Sequence, residues 1–448
     1  MTTNVMDAKV EVAPQGIRTF LVIWIGQLIS MLGSGLTSFA LGVWIFDQTG
    51  EATPFALTVL FGNLPRVLLL PVAGSLADHW NRRWVMILSD VGNAVVTIGV
   101  FVMLLFGNLQ FWHIYLIVTL GSIFSAFQEP AYTASITMLI PKKDLSRANG
   151  MLQMGQALEM VLTPVIAGVL FVAIGLSGIL MIDFITFLFA VGTLLVIRIP
   201  QPELLEHKEK KSSVWSDALF GWRYLKARPG LFGLLWYYAM VNFLLNWSGV
   251  LTGPMILSRF SASTLGMIQM FVGLGALTGG ILSSVWAGPT RRITAVIGFI
   301  ALALVGMVIA GLRPSPVTIG AGLFWLMVFI PMASASSQAV FQSKVAPDVQ
   351  GRVFSIRSMI SRSVMPISFL LAGPLADRVF GPLLDTNGAW ADTFLGAFLG
   401  TGAGRGIGFM FVASALVGIL VSTLAYTNPR IRNIEDELPD ALPAASKE

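Results

Sequence analysis

The chain has 448 residues, of which 55% are hydrophobic and 11% charged, with a formal net charge of +5. A soluble domain carries about 25% charged residues, so a soluble globular class is excluded, and basic residues dispersed between apolar stretches exclude a nucleic-acid surface. There is no cysteine, and His79, His113 and His207 lie far apart, which removes disulfides, thiol chemistry and metal-ligand spacings; no metal or other cofactor is expected.

Apolar stretches of about 20 residues recur, the length that crosses a hydrocarbon core. In lipid the backbone satisfies itself, so these stretches are predicted to be helices. Residues 1–16 are polar and carry no cleavable signal pattern. Twelve spans are predicted, beginning near Arg18, Pro54, Arg83, Phe111, Leu145, Ser177, Gly230, Ala262, Arg292, Pro316, Arg352 and Arg405. Arg82, Arg83, Lys142, Lys143, Arg147, Arg291 and Arg292 fall in one set of loops, whereas Arg259, Arg313, Arg378 and Arg405 fall in the other. Counted over all loops, the basic excess on the first side predicts both termini in the cytoplasm.

A polar stretch from Ile199 to Ser216 divides the spans six and six. After it, apolar residues at Val214, Trp215, Ala218, Leu219, Trp222 and Leu225 recur every three or four positions, the pattern of an amphipathic helix on the inner membrane surface. The expected organisation is a first bundle over 1–198, a linker over 199–228, a second bundle over 229–427 and an unstructured cytoplasmic tail over 428–448. The halves repeat faintly: Arg147 pairs with Arg352, and Gly168 with Gly373, at one offset. Between Arg378 and Gly404 lies a glycine-rich loop, with a short helix expected over 389–399. No Gly-Lys dipeptide occurs in the chain, so a phosphate loop is excluded and ATP is not the expected energy source.

Several motifs carry a family likeness. Gly74-Ser75-Leu76-Ala77-Asp78-His79-Trp80-Asn81-Arg82-Arg83, between spans two and three, resembles the short cytoplasmic loop of major facilitator superfamily transporters. Ile23-Trp24-x-Gly26-Gln27, Ala126-Phe127-x-x-Pro130-Ala131 and the run from Gly351 to Asp377 resemble the macrolide-efflux branch, which also contains siderophore exporters. The likeness implies an all-α membrane protein with twelve transmembrane helices in two pseudo-symmetric six-helix bundles, the major facilitator fold. It also implies export of amphiphilic compounds in exchange for protons; a monomer in the bacterial inner membrane is expected. A latch between halves is implied on the cytoplasmic side, formed by Gly74, Asp78, Arg82 and Arg83 with Arg352 and Arg357. Thr163-Pro164-Val165-Ile166-Ala167-Gly168 is similar to an antiporter signature with threonine in place of its glycine. Antiporters of this fold often carry an arginine in the fourth helix; here the matching position is near Gly121, and span four has no arginine.

Charges at membrane depth are costly and mark function by default. Glu129 and Glu159 are the candidates for carrying protons, with Arg66 as a buried positive partner; a purely structural ion pair is the competing reading. Asp90 and Asp183 are expected as polar contacts near the membrane surface. Trp24, Gln27, Gln128, Tyr132, Tyr237, Asn242, Asn246, Trp247, Gln338 and Arg362 are the candidates for the substrate cavity, since aromatic and polar walls suit bulky amphiphiles. Export of a drug or secondary metabolite is the first expectation. A siderophore or peptide-like metabolite is the second, favoured if Arg66, Arg357 and Arg362 dominate the cavity. A lipid scramblase or a non-transporting receptor on the same fold is the third. An enzyme is not expected, because no Ser-His-Asp, His-Glu-x-x-His or paired-aspartate motif is present.

Overall fold

The chain is helical wherever apolar length demands it. The structure, a computed structural model, describes residues 16–141, 144–197, 214–286, 289, 291–346 and 349–440, without the side chains of 70, 71, 74–79, 137 and 214–218. Among the described residues there is no strand. The helices are α1 (Ile17–Thr49), α2 (Ala52–His79), α3 (Arg82–Leu105), α4 (Phe111–Leu139), α5 (Leu145–Val196), α6 (Val214–Lys226), α7 (Pro229–Leu257), α8 (Ala262–Val285), α9 (Arg292–Leu312), α10 (Pro316–Lys344) and α11 (Gln350–Leu375). A π-helical turn (Ala376–Phe380) and α12 (Gly381–Leu383) extend α11; α13 (Phe394–Leu399), α14 (Arg405–Thr427), α15 (Pro429–Arg432) and α16 (Ile434–Glu437) follow.

Eleven of the described helices are long and apolar enough to span a membrane. α5 supplies two spans. A straight helix of its 52 residues would run about 78 Å at ~1.5 Å per residue, against a core of about 30 Å. The break falls at Gly175, whose φ of 66° and ψ of −174° suit glycine alone. The total among the described residues is therefore twelve, and the predicted start near Ser177 lies two residues past the break.

Two compact units are present. The first comprises Met1–Ser34, Gly62–Glu159 and Ile179–His207; the second comprises Gly35–Phe61, Met160–Gly178 and Lys208–Glu448. This division runs through α1, α2 and α5 and does not follow the bundle boundaries at 198 and 229 expected from the repeat. The reason is visible inside the second unit, where a short piece of α2 packs closely onto α11 and a short piece of α5 onto α8. A Cβ on Gly168 would lie 2.6 Å from the Ala262 carbonyl oxygen, and one on Gly373 would lie 2.5 Å from Thr53 Cα. Small residues at these points let helices approach closely, as in other membrane helix pairs. The Met160 carbonyl, deprived of its helical donor by Pro164, faces Gly273 of α8.

The first unit packs around Phe20, Ile23, Met86, Leu139 and Leu194, all nearly inaccessible, with Trp24 and Tyr132 at the margin. The linker residues 199–213 and the tail residues 441–448 lie outside the described residues. The tail expectation is corrected for 428–440, which form the turns of α15 and α16. Glu435 accepts the backbone N–H groups of Arg292 and Ile293 at the start of α9 (3.1 and 3.0 Å), a carboxylate at a helix N-terminus. Lys344 Nζ donates to the carbonyls of Glu435 and Leu438. The helix expected over 389–399 is confined to Phe394–Leu399. α6 forms as its periodicity predicts, and its Gly221 meets the Arg352 carbonyl of α11.

Candidate functional site

Within the second unit, α7, α10 and α11 line an open cavity of about 500 Å³, a size that takes a small organic molecule. Its polar wall is built by helical spacing. Tyr238, Asn242 and Asn246 line it from α7, and Ser334 and Gln338 from α10, each series advancing by four residues. α11 contributes Phe354, Arg357, Ser358, Ser361, Arg362 and Met365, a stripe advancing by three and one in alternation along one face. Arg357 donates to Ser337 Oγ (2.9 Å) and Gln338 Oε1 (3.0 Å), and its guanidinium lies 4.4 Å from the Phe341 ring centroid. Among the described residues, no Asp or Glu lines this cavity.

Four of the predicted cavity residues, Asn242, Asn246, Gln338 and Arg362, stand on this wall. Tyr237 does not. Its hydroxyl hydrogen-bonds Ser422 of α14 at 2.9 Å, because one residue along a helix turns about 100°; Tyr238 faces the cavity in its place. Trp247 is also off the wall. Its ring packs on Phe243 at 5.9 Å, and its buried indole N–H has no partner among the described residues.

The first unit holds a second polar cluster. Asp90 of α3 is fully buried. Its carboxylate accepts the side-chain amides of Gln128 (2.7 Å) and Gln27 (3.2 Å), and Gln128 also donates to Gln27 Oε1 (3.0 Å). No cation lies within ion-pair distance of Asp90 among the described residues. Asp90, expected as a polar contact, is thus a buried carboxylate joining spans one, three and four. Asp183 is likewise buried, and accepts the Thr97 hydroxyl at 3.4 Å. Trp24 donates its indole N–H to the Met151 carbonyl (3.1 Å). The Tyr132 hydroxyl is buried and unpartnered among the described residues.

Arg66 and Glu129 form an ion pair at 2.5 Å with about half of each side chain exposed. Glu159 is within electrostatic reach of the same arginine. The three residues singled out for proton coupling are thus gathered in the first unit.

At one end of the second unit, Asp377 in the π-helical turn after α11 receives the first turn of α2. Its oxygens accept the N–H groups of Ala52 (2.8 Å) and Thr53 (2.7 Å) and the Thr53 hydroxyl (2.5 Å). A pseudo-equivalent contact joins α8 to α5, where Ser263 Oγ donates to the Gly168 carbonyl at 3.0 Å. Nearby, Arg259 holds the carbonyls of Thr401 and Ala403, and buried Arg405 holds those of Gly311 and Leu312 at the end of α9. Gly400, Gly402 and Gly404 of this loop have φ of 87°, 95° and 74°, so the glycine-rich stretch is a turn requirement.

The family model of the Major Facilitator Superfamily matches residues 23–369. The chain belongs to the major facilitator superfamily. Macrolide efflux protein A of Streptococcus pyogenes is 26% identical over 382 residues, covering 80% of this chain and 90% of that protein. The multidrug efflux pump Tap of Mycolicibacterium fortuitum is 22% identical over 422 residues, covering 93% and 97%. Among solved structures, a bacterial homologue of the human lysosomal transporter Spinster, inward-facing and unoccupied, matches with a TM-score of 0.69 at 16% identity, covering 96% of this chain and all of that one. A bacterial homologue of the iron transporter ferroportin matches with a TM-score of 0.63 at 15% identity, covering 91% and 98%. Both of these sequence relatives are named for efflux, and this chain is a membrane transporter of the superfamily, not an enzyme.

For a member of the major facilitator superfamily, the loop after α2 draws attention first. Gly74 and Asp78, the glycine and acid of the expected latch, lie outside the residues whose side chains are described. The arginines are engaged within their own units. Arg82 donates to the Ala134 carbonyl (2.7 Å), and Arg83 holds the Leu194 and Leu195 carbonyls at the end of α5 (2.7 Å each), where a helix terminus favours a cation. Arg352 stacks over Phe220 of α6 at 4.0 Å. Sequence reasoning named Asp90 as a polar contact but not its partners Gln27 and Gln128, and it missed the Asp377 contact, for which the available signal was an acid directly after a proline-broken helix end.

Proposed function

We propose that this protein exports an amphiphilic small molecule, a drug or secondary metabolite, across the bacterial inner membrane in exchange for protons. The observation that carries this reading is the cavity of about 500 Å³ whose wall is polar and aromatic within otherwise apolar helices. The efflux names of its relatives support the direction of transport. Substrate binds against α7, α10 and α11. Protons enter through the carboxylates of the first unit, with Glu129 and Glu159 near Arg66, and Asp90 as a further carrier held by Gln27 and Gln128. The Lys/Arg bias puts the loop after α2 and both termini on the cytoplasmic side, and the Asp377 contact then closes the outer end. Asp78 closes the inner end when the cavity faces outward. The protein works as a monomer in the lipid bilayer.

The test uses inverted membrane vesicles energised to an acidic interior and loaded with a pH-sensitive dye. Amphiphilic compounds are added singly. Export coupled to protons gives a substrate-triggered rise in interior pH that is lost in Arg66→Ala. Substrate accumulation with no pH response rejects proton coupling, and no accumulation of any compound by folded protein rejects the export reading.

A further inference from the structure

The charge on the cavity wall is one-sided. Arg357 and Arg362 both face the space, and among the described residues neither has a carboxylate within ion-pair distance. Arg357 is oriented by neutral acceptors, Ser337 and Gln338, and by an aromatic ring. These fix the guanidinium without offsetting its charge. Arg362 is exposed to the space and makes no side-chain hydrogen bond among the described residues. An arginine inside a membrane span normally finds an anion or a chain of acceptors, because an isolated cation there is costly. Two of them on one wall, with serine and asparagine donors alongside, form a surface that a negative group would complete.

We infer that this cavity receives an amphiphile with an anionic head, a carboxylate or a phosphate, which Arg362 binds directly while Arg357 supplies a fixed neighbouring charge. The guanidinium fork matches both oxyanions with paired hydrogen bonds. Ser358 and Ser361, on the same face of α11, add donors to oxygen atoms that the fork leaves free. Phe354 and Met365 at the two ends of the stripe give the apolar body a soft wall. A cationic amphiphile would meet repulsion from both arginines at this site. The inference rests on the export reading for its biological sense, but binding tests it separately.

The experiment measures binding to the full-length protein in phosphatidylcholine nanodiscs. The probes are dodecanoate, dodecyl phosphate, dodecanamide and dodecylammonium, matched in chain length. The two anions are expected to bind at least tenfold tighter than the amide, with affinity falling as salt rises. Arg362→Gln should remove that preference, and Arg362→Lys should keep part of it. Adding phosphatidylglycerol to the discs separates the sources of the head group: displacement of dodecanoate identifies a lipid occupant, and no displacement identifies a free anionic metabolite, both supporting an anion site. Equal binding of anion and amide, tighter binding of dodecylammonium, or an unchanged preference in folded Arg362→Gln overturns the inference. Anion binding without export in vesicles would instead reject the export reading and leave the site standing.

Discussion

Arg66 and Glu129 show why a membrane ion pair is not by itself a stability device. Each side chain is about half exposed, 49% and 48%, and pairs of that kind contribute about 0.2–1 kcal/mol. Arg66→Ala should therefore lower thermal stability only slightly while abolishing transport, and Arg66→Lys should retain some; an alanine variant with full transport would remove the pair from the mechanism. Asp90 poses the opposite case, since it is fully buried and bound only by amides. Asp90→Asn preserves shape and some of the hydrogen bonding, so it should keep the fold and substrate binding. It should also break the link between substrate movement and interior pH. Parallel substrate-flux and pH-dye traces check this, and unaltered coupling would return Asp90 to a packing role. Gln27 and Gln128 were legible in the sequence as polar residues within spans. Asp90 was legible as an acid within a span, but their meeting was not, because only the crossing of α1, α3 and α4 brings the three together.

At the scale of elements, the closed end of the second unit is a set of helix starts received by helix ends. The carboxylate of Asp377 satisfies two N–H groups that no helical carbonyl can reach. Loss of such a cap costs about 0.5–2 kcal/mol, typically ~1, or roughly fivefold in an equilibrium. Asp377→Ala should therefore shift the protein by about that factor away from the state with this end closed, and Asp377→Asn by less, because asparagine still caps. Labelling rates of a cysteine placed at Thr53 measure the shift; identical rates with and without Asp377 would show that the cap does not bias the closed state. Gly373→Val is expected to be more severe. Its added atoms meet Thr53 backbone at 2.5 Å, and backbone cannot rotate aside as a side chain does. The glycine itself was visible in the sequence through its pairing with Gly168. What each glycine touches was not, since the contacts link α2 to α11 and α5 to α8 across long sequence separations.

For the whole molecule, apolar length and loop charge made the twelve spans legible, and predicted starts at Phe111, Leu145, Ala262, Arg292, Pro316 and Arg405 coincide with the observed ones. The same reading placed the structural division between the sixth and seventh spans. The observed units cut across α1, α2 and α5, because a repeat in sequence records ancestry of the halves, whereas compactness records which ends are in contact. That difference has a mechanical consequence. If transport requires the contact between α2 and α11 to open, tying it shut must stop transport without unfolding the protein. The chain has no native cysteine, so Thr53→Cys with Asp377→Cys introduces the only thiols, at positions whose side chains touch. Oxidation of this pair should halt substrate movement in vesicles, and reduction should restore it in the same preparation, which separates the tether from the loss of Asp377. Substrate binding to the oxidised protein should persist if the cavity between α7, α10 and α11 opens to the other end. Undiminished transport by fully cross-linked protein would mean that this contact stays closed throughout the cycle, and alternating access would then have to proceed by movement elsewhere in the chain.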